Sequence, residues 1–141
     1  DHGGFDLKTT IMDHLKAEGV AYKDLGTFDG KSVDYPEIAL LCAEEVAQGN
    51  YERGIIICGT GIGVCIAANK VKGIRAALCH DVFSAKMARL HNDSNILTLG
   101  GRVIGPSLAV EIVMEWIKGD FEGGRHKTRI EQIAAYEAKN Q

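Results

Sequence analysis

The run Cys58-Gly59-Thr60-Gly61-Ile62-Gly63 sets a thiol directly before three glycines at alternate positions, and it follows the apolar stretch Ile55-Ile56-Ile57. A thiol can serve as base or nucleophile, and glycines let the backbone turn sharply and aim bare amides at an anion. Three β-branched residues favour a buried strand, whereas Ile62 to Asn69 reads as a helix that begins inside the loop. Cys58 therefore stands where a strand hands over to a helix N-terminus, a kind of position that favours the thiolate. Inert packing is the other use open to a strand-end cysteine. Two cofactor motifs fail on spacing. Gly-x-Gly-x-x-Gly would need glycine where Val64 or Ile66 stands, and no Gly-Lys-Ser/Thr follows at P-loop distance. A small anionic ligand is the remaining expectation.

Other polar groups gather at segment ends. Asp1-His2 precedes two glycines and a helix, repeating the loop-to-helix arrangement of the thiol. His91-Asn92-Asp93 closes a helix, where a plain polar cap is the alternative use. Gly123-Gly124-Arg125-His126 with Arg129 puts two arginines four residues apart on one helix face, suited to phosphate or carboxylate, or else simply solvated. Arg102 after Gly100-Gly101 is a further cation.

The elements that must position these groups alternate. Helices are expected over Phe5 to Glu18, from Asp34-Tyr35-Pro36 to about Gln48, from the Asp81 cap to about Leu90, from Pro106 to Lys118 and over about 127–139. Strands are expected near Val20 to Leu25 and at Gly54 to Cys58, Ile74 to Cys79 and Ile96 to Leu99, with a polar loop from Gly26 to Asp34. Such alternation implies a parallel sheet with helices on both faces, a Rossmann-like or flavodoxin-like α/β sandwich that binds ligands beyond the carboxyl ends of its strands. A doubly wound sheet normally opens on a strand, yet the first helix follows Asp1-His2-Gly3-Gly4 directly. A strand upstream of residue 1, central in the flavodoxin-like order, is therefore expected.

Composition narrows the classes. The 141 residues with 45% hydrophobic content suit one well-packed domain. A formal charge of −3 with both signs interspersed offers no basic face for nucleic acid. No apolar run approaches the ~18 residues of a membrane span, and no signal-peptide pattern opens the chain, so a cytoplasmic protein is expected. Cys42, Cys58, Cys65 and Cys79 lack Cys-x-x-Cys spacing, so neither a zinc site nor a disulfide framework is expected.

Seven motifs in order carry a resemblance: Asp1-His2-Gly3-Gly4-Phe5, Asp34-Tyr35-Pro36, Cys58 to Gly63, Ala67-Ala68-Asn69-Lys70, Gly73-Ile74-Arg75-Ala76, His91-Asn92-Asp93 and Gly123-Gly124-Arg125-His126. Over essentially its whole length the chain resembles the type B ribose-5-phosphate isomerases, which belong with the bacterial galactose-6-phosphate isomerase subunits. The resemblance implies interconversion of an aldose phosphate and a ketose phosphate through an enediolate, without metal or organic cofactor. It implies Cys58 as the base, with Thr60 supporting it by hydrogen bonding. It implies the amides of Gly59, Gly61 and Gly63 with the Asn92 side chain as the oxyanion hole, and His91 with Asp1 as the ring openers. His2, Arg102, Arg125 and Arg129 would hold phosphate, and Tyr35 would line the sugar pocket. Some relatives replace the cysteine by a glutamate after the last loop glycine, a position held here by Val64.

In that family His91, Asn92 and Arg102 reach in from a second subunit, so a homodimer with shared sites is implied, with a tetramer as the further assembly. The two galactose-6-phosphate isomerase subunits each lack part of the motif set, whereas this chain has all of it. That favours a self-sufficient ribose-5-phosphate isomerase over half of a heteromer. Allose-6-phosphate or galactose-6-phosphate isomerase of the same family, a non-catalytic sugar-phosphate-binding module and a redox role for Cys58 are the alternatives.

Overall fold

The computed structural model describes residues 2–141, with the side chain of His2 outside the description. A short 3-10 turn, His2–Gly4, leads into α1 (Phe5–Ala17), followed by α2 (Tyr35–Ala47), β1 (Gly54–Cys58), α3 (Ile62–Ala68), β2 (Ala76–Leu78), α4 (Val82–Asn92), β3 (Ile96–Gly100), α5 (Pro106–Lys118) and α6 (Arg125–Asn140). Local signals act where they stand. Pro36 and Pro106 sit in the first turns of α2 and α5, and the Asp81 carboxylate accepts the Ser84 amide at 2.6 Å to cap α4. That bond and the Ser84 hydroxyl hold the Asp81 carboxyl below the usual range.

The strands form a parallel sheet in the order β1-β3-β2, with Cys58 opposite Gly100 at one end and Gly54 opposite Ile96 at the other. The third strand in sequence is thus the central one, and all five of its residues are buried. Alternate residues of β1 divide between two cores. Ile57 joins Leu97, Leu99 and residues of α1, α4 and α5, including the fully buried Trp116, while Ile56 and Cys58 join Ala39, Ala43, Val64 and Ala68 from α2 and α3. Helices therefore cover both faces, as the α/β expectation requires.

The expected strand at Val20 to Leu25 is not formed. Val20 bonds back to Leu15 at the end of α1, and an apolar groove of about 450 Å³ lined by Ile11, Leu15, Leu25, Ile55 and Ile57 separates the segment from β1. Strand conformation needs a neighbour within ladder distance, ~4.8 Å, and this segment has none among the described residues. Among the described residues no helix is long and apolar enough to cross a membrane.

Candidate active site

The thiol lies at the carboxyl end of β1, pointing to the α2–α3 face and only 5% exposed. Its sulfur accepts the Gly61 amide at 3.0 Å. Gly61 takes a left-handed φ of +79°, and a Cβ there would lie 2.8 Å from the Leu99 carbonyl carbon. A Cβ on Gly63 would meet the Tyr35 ring at 2.5 Å, and one on Gly100 would meet the Thr60 backbone at 2.7 Å. The glycines are thus required by close approach of loop, sheet and Tyr35 as well as by ligand space. The buried Thr98 hydroxyl donates to the Gly61 carbonyl at 2.9 Å and fastens the loop to β3. Tyr35, Cys58, Gly59, Thr60, Ile62, Gly63 and Ile66 enclose an open hollow of about 470 Å³. Because α3 has only 7 residues, the loop amides contribute more to this cradle than the helix dipole.

The geometry refines two expectations about individual groups. The Thr60 hydroxyl accepts the Ile62 amide at 3.2 Å, closing a local turn, and the donor seen on the Cys58 sulfur is the Gly61 amide. The Arg102 side chain lies against its own loop, its Nη1 3.3 Å from where a Gly59 Cβ would sit, and its amide donates to the Gly59 carbonyl at 3.0 Å. Within one chain Arg102 therefore shares an end of the sheet with Cys58. Asp1 lies outside the described residues, as does the His2 side chain; the turn His2–Gly4 packs at this end, since a Gly101 Cβ would sit 2.7 Å from the Gly3 carbonyl oxygen. Val64 is fully buried among core residues.

The remaining groups collect at the opposite end. α4 runs back from the carboxyl end of β2 for 11 residues, about 16 Å, and delivers His91, Asn92 and Asp93 beside the amino ends of the strands. Arg75, just before β2, donates to the Asn92 and Asp93 carbonyls at 3.1 and 3.0 Å, and Asp93 closes the helix with a φ of +45°. The following loop is anchored by Arg53 and Arg89, which each donate to the Gly119 carbonyl at 3.1 Å. It brings Glu122 and His126 against His91, so α6 begins at this end with Arg125 and Arg129 exposed on its first turns. His91, Glu122 and His126 each offer a donor atom within 4.8 Å of the others. The two imidazoles are stacked 12° from parallel, however, so their in-plane lone pairs run side by side and do not converge on one ion.

Sequence reasoning missed His80. Its Nε2 accepts the Gly100 amide at 3.1 Å, standing in for a strand carbonyl where β2 has already ended, and so supports the turn that carries Arg102. A histidine next to a capping aspartate gives no periodic signal, and only the sheet register reveals it. Burial pushes the Cys42 and Cys79 thiols up to about 11.

Gly61→Ala should lose activity and destabilise the fold, because the Cβ would press on the Leu99 backbone and the left-handed φ adds about 1–3 kcal/mol of strain, read by denaturant unfolding. Gly63→Ala should lose activity with little change in stability, since the half-exposed Tyr35 ring can swing aside into the hollow.

An open parallel sheet with a thiol and a glycine cradle beyond its carboxyl ends defines an α/β domain of the class that binds small anionic substrates at that edge. A model of the ribose/galactose isomerase family matches residues 1–133, and the chain belongs to that family. It is 55% identical over 141 residues to the putative sugar phosphate isomerase YwlF of Bacillus subtilis, covering 99% of this chain and 95% of that protein. Its fold matches the solved structure of ribose-5-phosphate isomerase B from Clostridium thermocellum with a TM-score of 0.98 at 53% identity, over 100% of this chain and 95% of that one. The Mycoplasma genitalium ribose-5-phosphate isomerase B, solved with bound ribulose-5-phosphate, matches with a TM-score of 0.94 at 44% identity, over 99% and 93% of the two chains.

Proposed function

We propose that this chain interconverts ribose 5-phosphate and ribulose 5-phosphate by proton transfer through an enediolate, with Cys58 as the base. The observation that carries the proposal is the Cys58 sulfur held under the Gly61 amide at the floor of an open hollow. Starting from the open-chain aldose, the thiolate takes the C2 hydrogen as its proton, the C–H electron pair becomes the C1–C2 double bond, and negative charge develops on O1. Returning the proton to C1 while the O2 hydroxyl proton passes to O1 leaves a C2 carbonyl and a C1 hydroxyl, the ketose. The hydrogen lost at C2 is regained at C1, so the reaction asks for no electron acceptor. Since Gly61 is engaged by the sulfur, the amides left for the enediolate are those of Gly59 and Gly63, joined by the Asn92 side chain.

His91 and Asp1 open the ring by proton transfer at the ring oxygen and the anomeric hydroxyl. His2, Arg102, Arg125 and Arg129 hold the phosphate, and Tyr35 lines the sugar. These groups cannot meet within one chain, because Cys58 and His91 stand at opposite ends of strands about 17 Å long. The reading therefore includes a homodimer in which the His91 end of one copy completes the Cys58 end of the other. Two such sites form by symmetry.

A coupled assay of ribose 5-phosphate beside allose 6-phosphate tests the substrate. Preferred turnover of the pentose phosphate is expected. Binding of both without turnover of either would leave a sugar-phosphate-binding module instead.

A further inference from the structure

Two side chains that this mechanism leaves unused converge on His91. The imidazoles of His91 and His126 lie face to face with centroids 4.1 Å apart, and the Glu122 carboxylate faces the His91 Nε2 at 4.0 Å. His126 is 5% exposed, and its Nε2 is buried without a hydrogen-bond partner. A buried, unpaired ring nitrogen is unfavourable, and an apolar side chain would fill the same space without it. The loop that presents the pair is fixed to α4, because the Glu122 amide donates to the Leu90 carbonyl at 3.0 Å.

Position explains what the second ring can do. His91 lies in the last turn of α4 with its side chain about one-third exposed, and the terminal torsion of a histidine is broad, so nothing in its own helix sets the plane of its ring. We infer that His126 is a positioning residue for His91: its buried ring is the plate that holds the His91 imidazole in one plane. This rests on the reading of His91 as ring opener. Burial, then His91, then Arg125 and Arg129 hold the His126 ring below the usual histidine range, against an opposing pull from Glu122. The plate is therefore uncharged at neutral pH, and His91 can gain a proton without facing a second stacked cation.

The test exploits a difference between the two sugars. Ribose 5-phosphate is cyclic and must be opened, whereas ribulose 5-phosphate has no hydroxyl placed to close a five-membered ring and enters open. Wash-in of solvent deuterium at C1 of ribulose 5-phosphate then reports the base and the cradle alone. In the full chain, His126→Leu fills the buried space without a flat ring and His126→Phe retains one. Leu should lower kcat/KM for ribose 5-phosphate by about 10- to 100-fold with deuterium wash-in kept within about twofold, and Phe should recover most of the loss. Three results would each overturn the inference: unchanged ribose 5-phosphate turnover in His126→Leu, an equal fall in both reactions, or Phe no better than Leu. His91→Asn separates the two levels. If it too leaves ribose 5-phosphate turnover intact, the ring-opening reading fails. If it alone is impaired, only the role of His126 fails.

Discussion

Cys58→Ala is expected to lower isomerisation of ribose 5-phosphate by about 10²- to 10⁴-fold, the usual effect of removing a positioned general base. Binding should survive, because the groups assigned to phosphate are cations elsewhere and the sulfur sits on the floor of the hollow. Calorimetry with ribitol 5-phosphate, which has no carbonyl to isomerise, reads that binding. Solvent-deuterium wash-in at C1 of ribulose 5-phosphate should fall with turnover, since both need the same proton removed. Cys65 is the control for a redox role. Its thiol contacts the Ala76 carbonyl at 3.6 Å and lines no part of the hollow, so Cys65→Ala should retain parental turnover under reducing and oxidising conditions alike.

His91→Asn has the second large effect, and its pattern differs. An amide keeps some of the polarity of the imidazole but cannot shuttle a proton near neutral pH, so opening of cyclic ribose 5-phosphate should fall by about 10²-fold or more. Ribulose 5-phosphate arrives open, and wash-in at C1 should persist because Cys58 and the loop amides are untouched. Loss of both reactions would place His91 in the proton-transfer step itself and would remove the division of labour between the two ends of the sheet.

Much of this arrangement was legible in the residues. Three isoleucines before a cysteine read as a buried strand, and β1 spans Gly54–Cys58 as expected; Pro106 and Gly119 bracket α5 as expected. These are signals written within a few residues of where they act. The segment at 20–25 had strand-like composition, but a strand exists only with a partner, and pairing is a property of the whole sheet. The resemblance implies Thr60 as a support of the Cys58 sulfur, and the left-handed turn at Gly61 adds a backbone amide that residue type does not announce. His126 was visible only as one letter of a motif, because a stack between the end of α4 and the start of α6 leaves no periodic trace. The placement of Cys58 and His91 at opposite ends of the sheet likewise needs the antiparallel course of α4 against the strands. That course turns a catalogue of polar residues into two half-sites.

Subunit mixing tests the two half-sites most directly. Cys58→Ala and His91→Asn proteins, each inactive on ribose 5-phosphate, are unfolded together and refolded at equal ratio, with hybrid dimers verified by native mass spectrometry. A hybrid holds one doubly defective site and one fully native site, so random pairing should restore about a quarter of parental activity. Hybrids that form but stay as inactive as their parents would contradict a site built from Cys58 of one copy and His91 of the other.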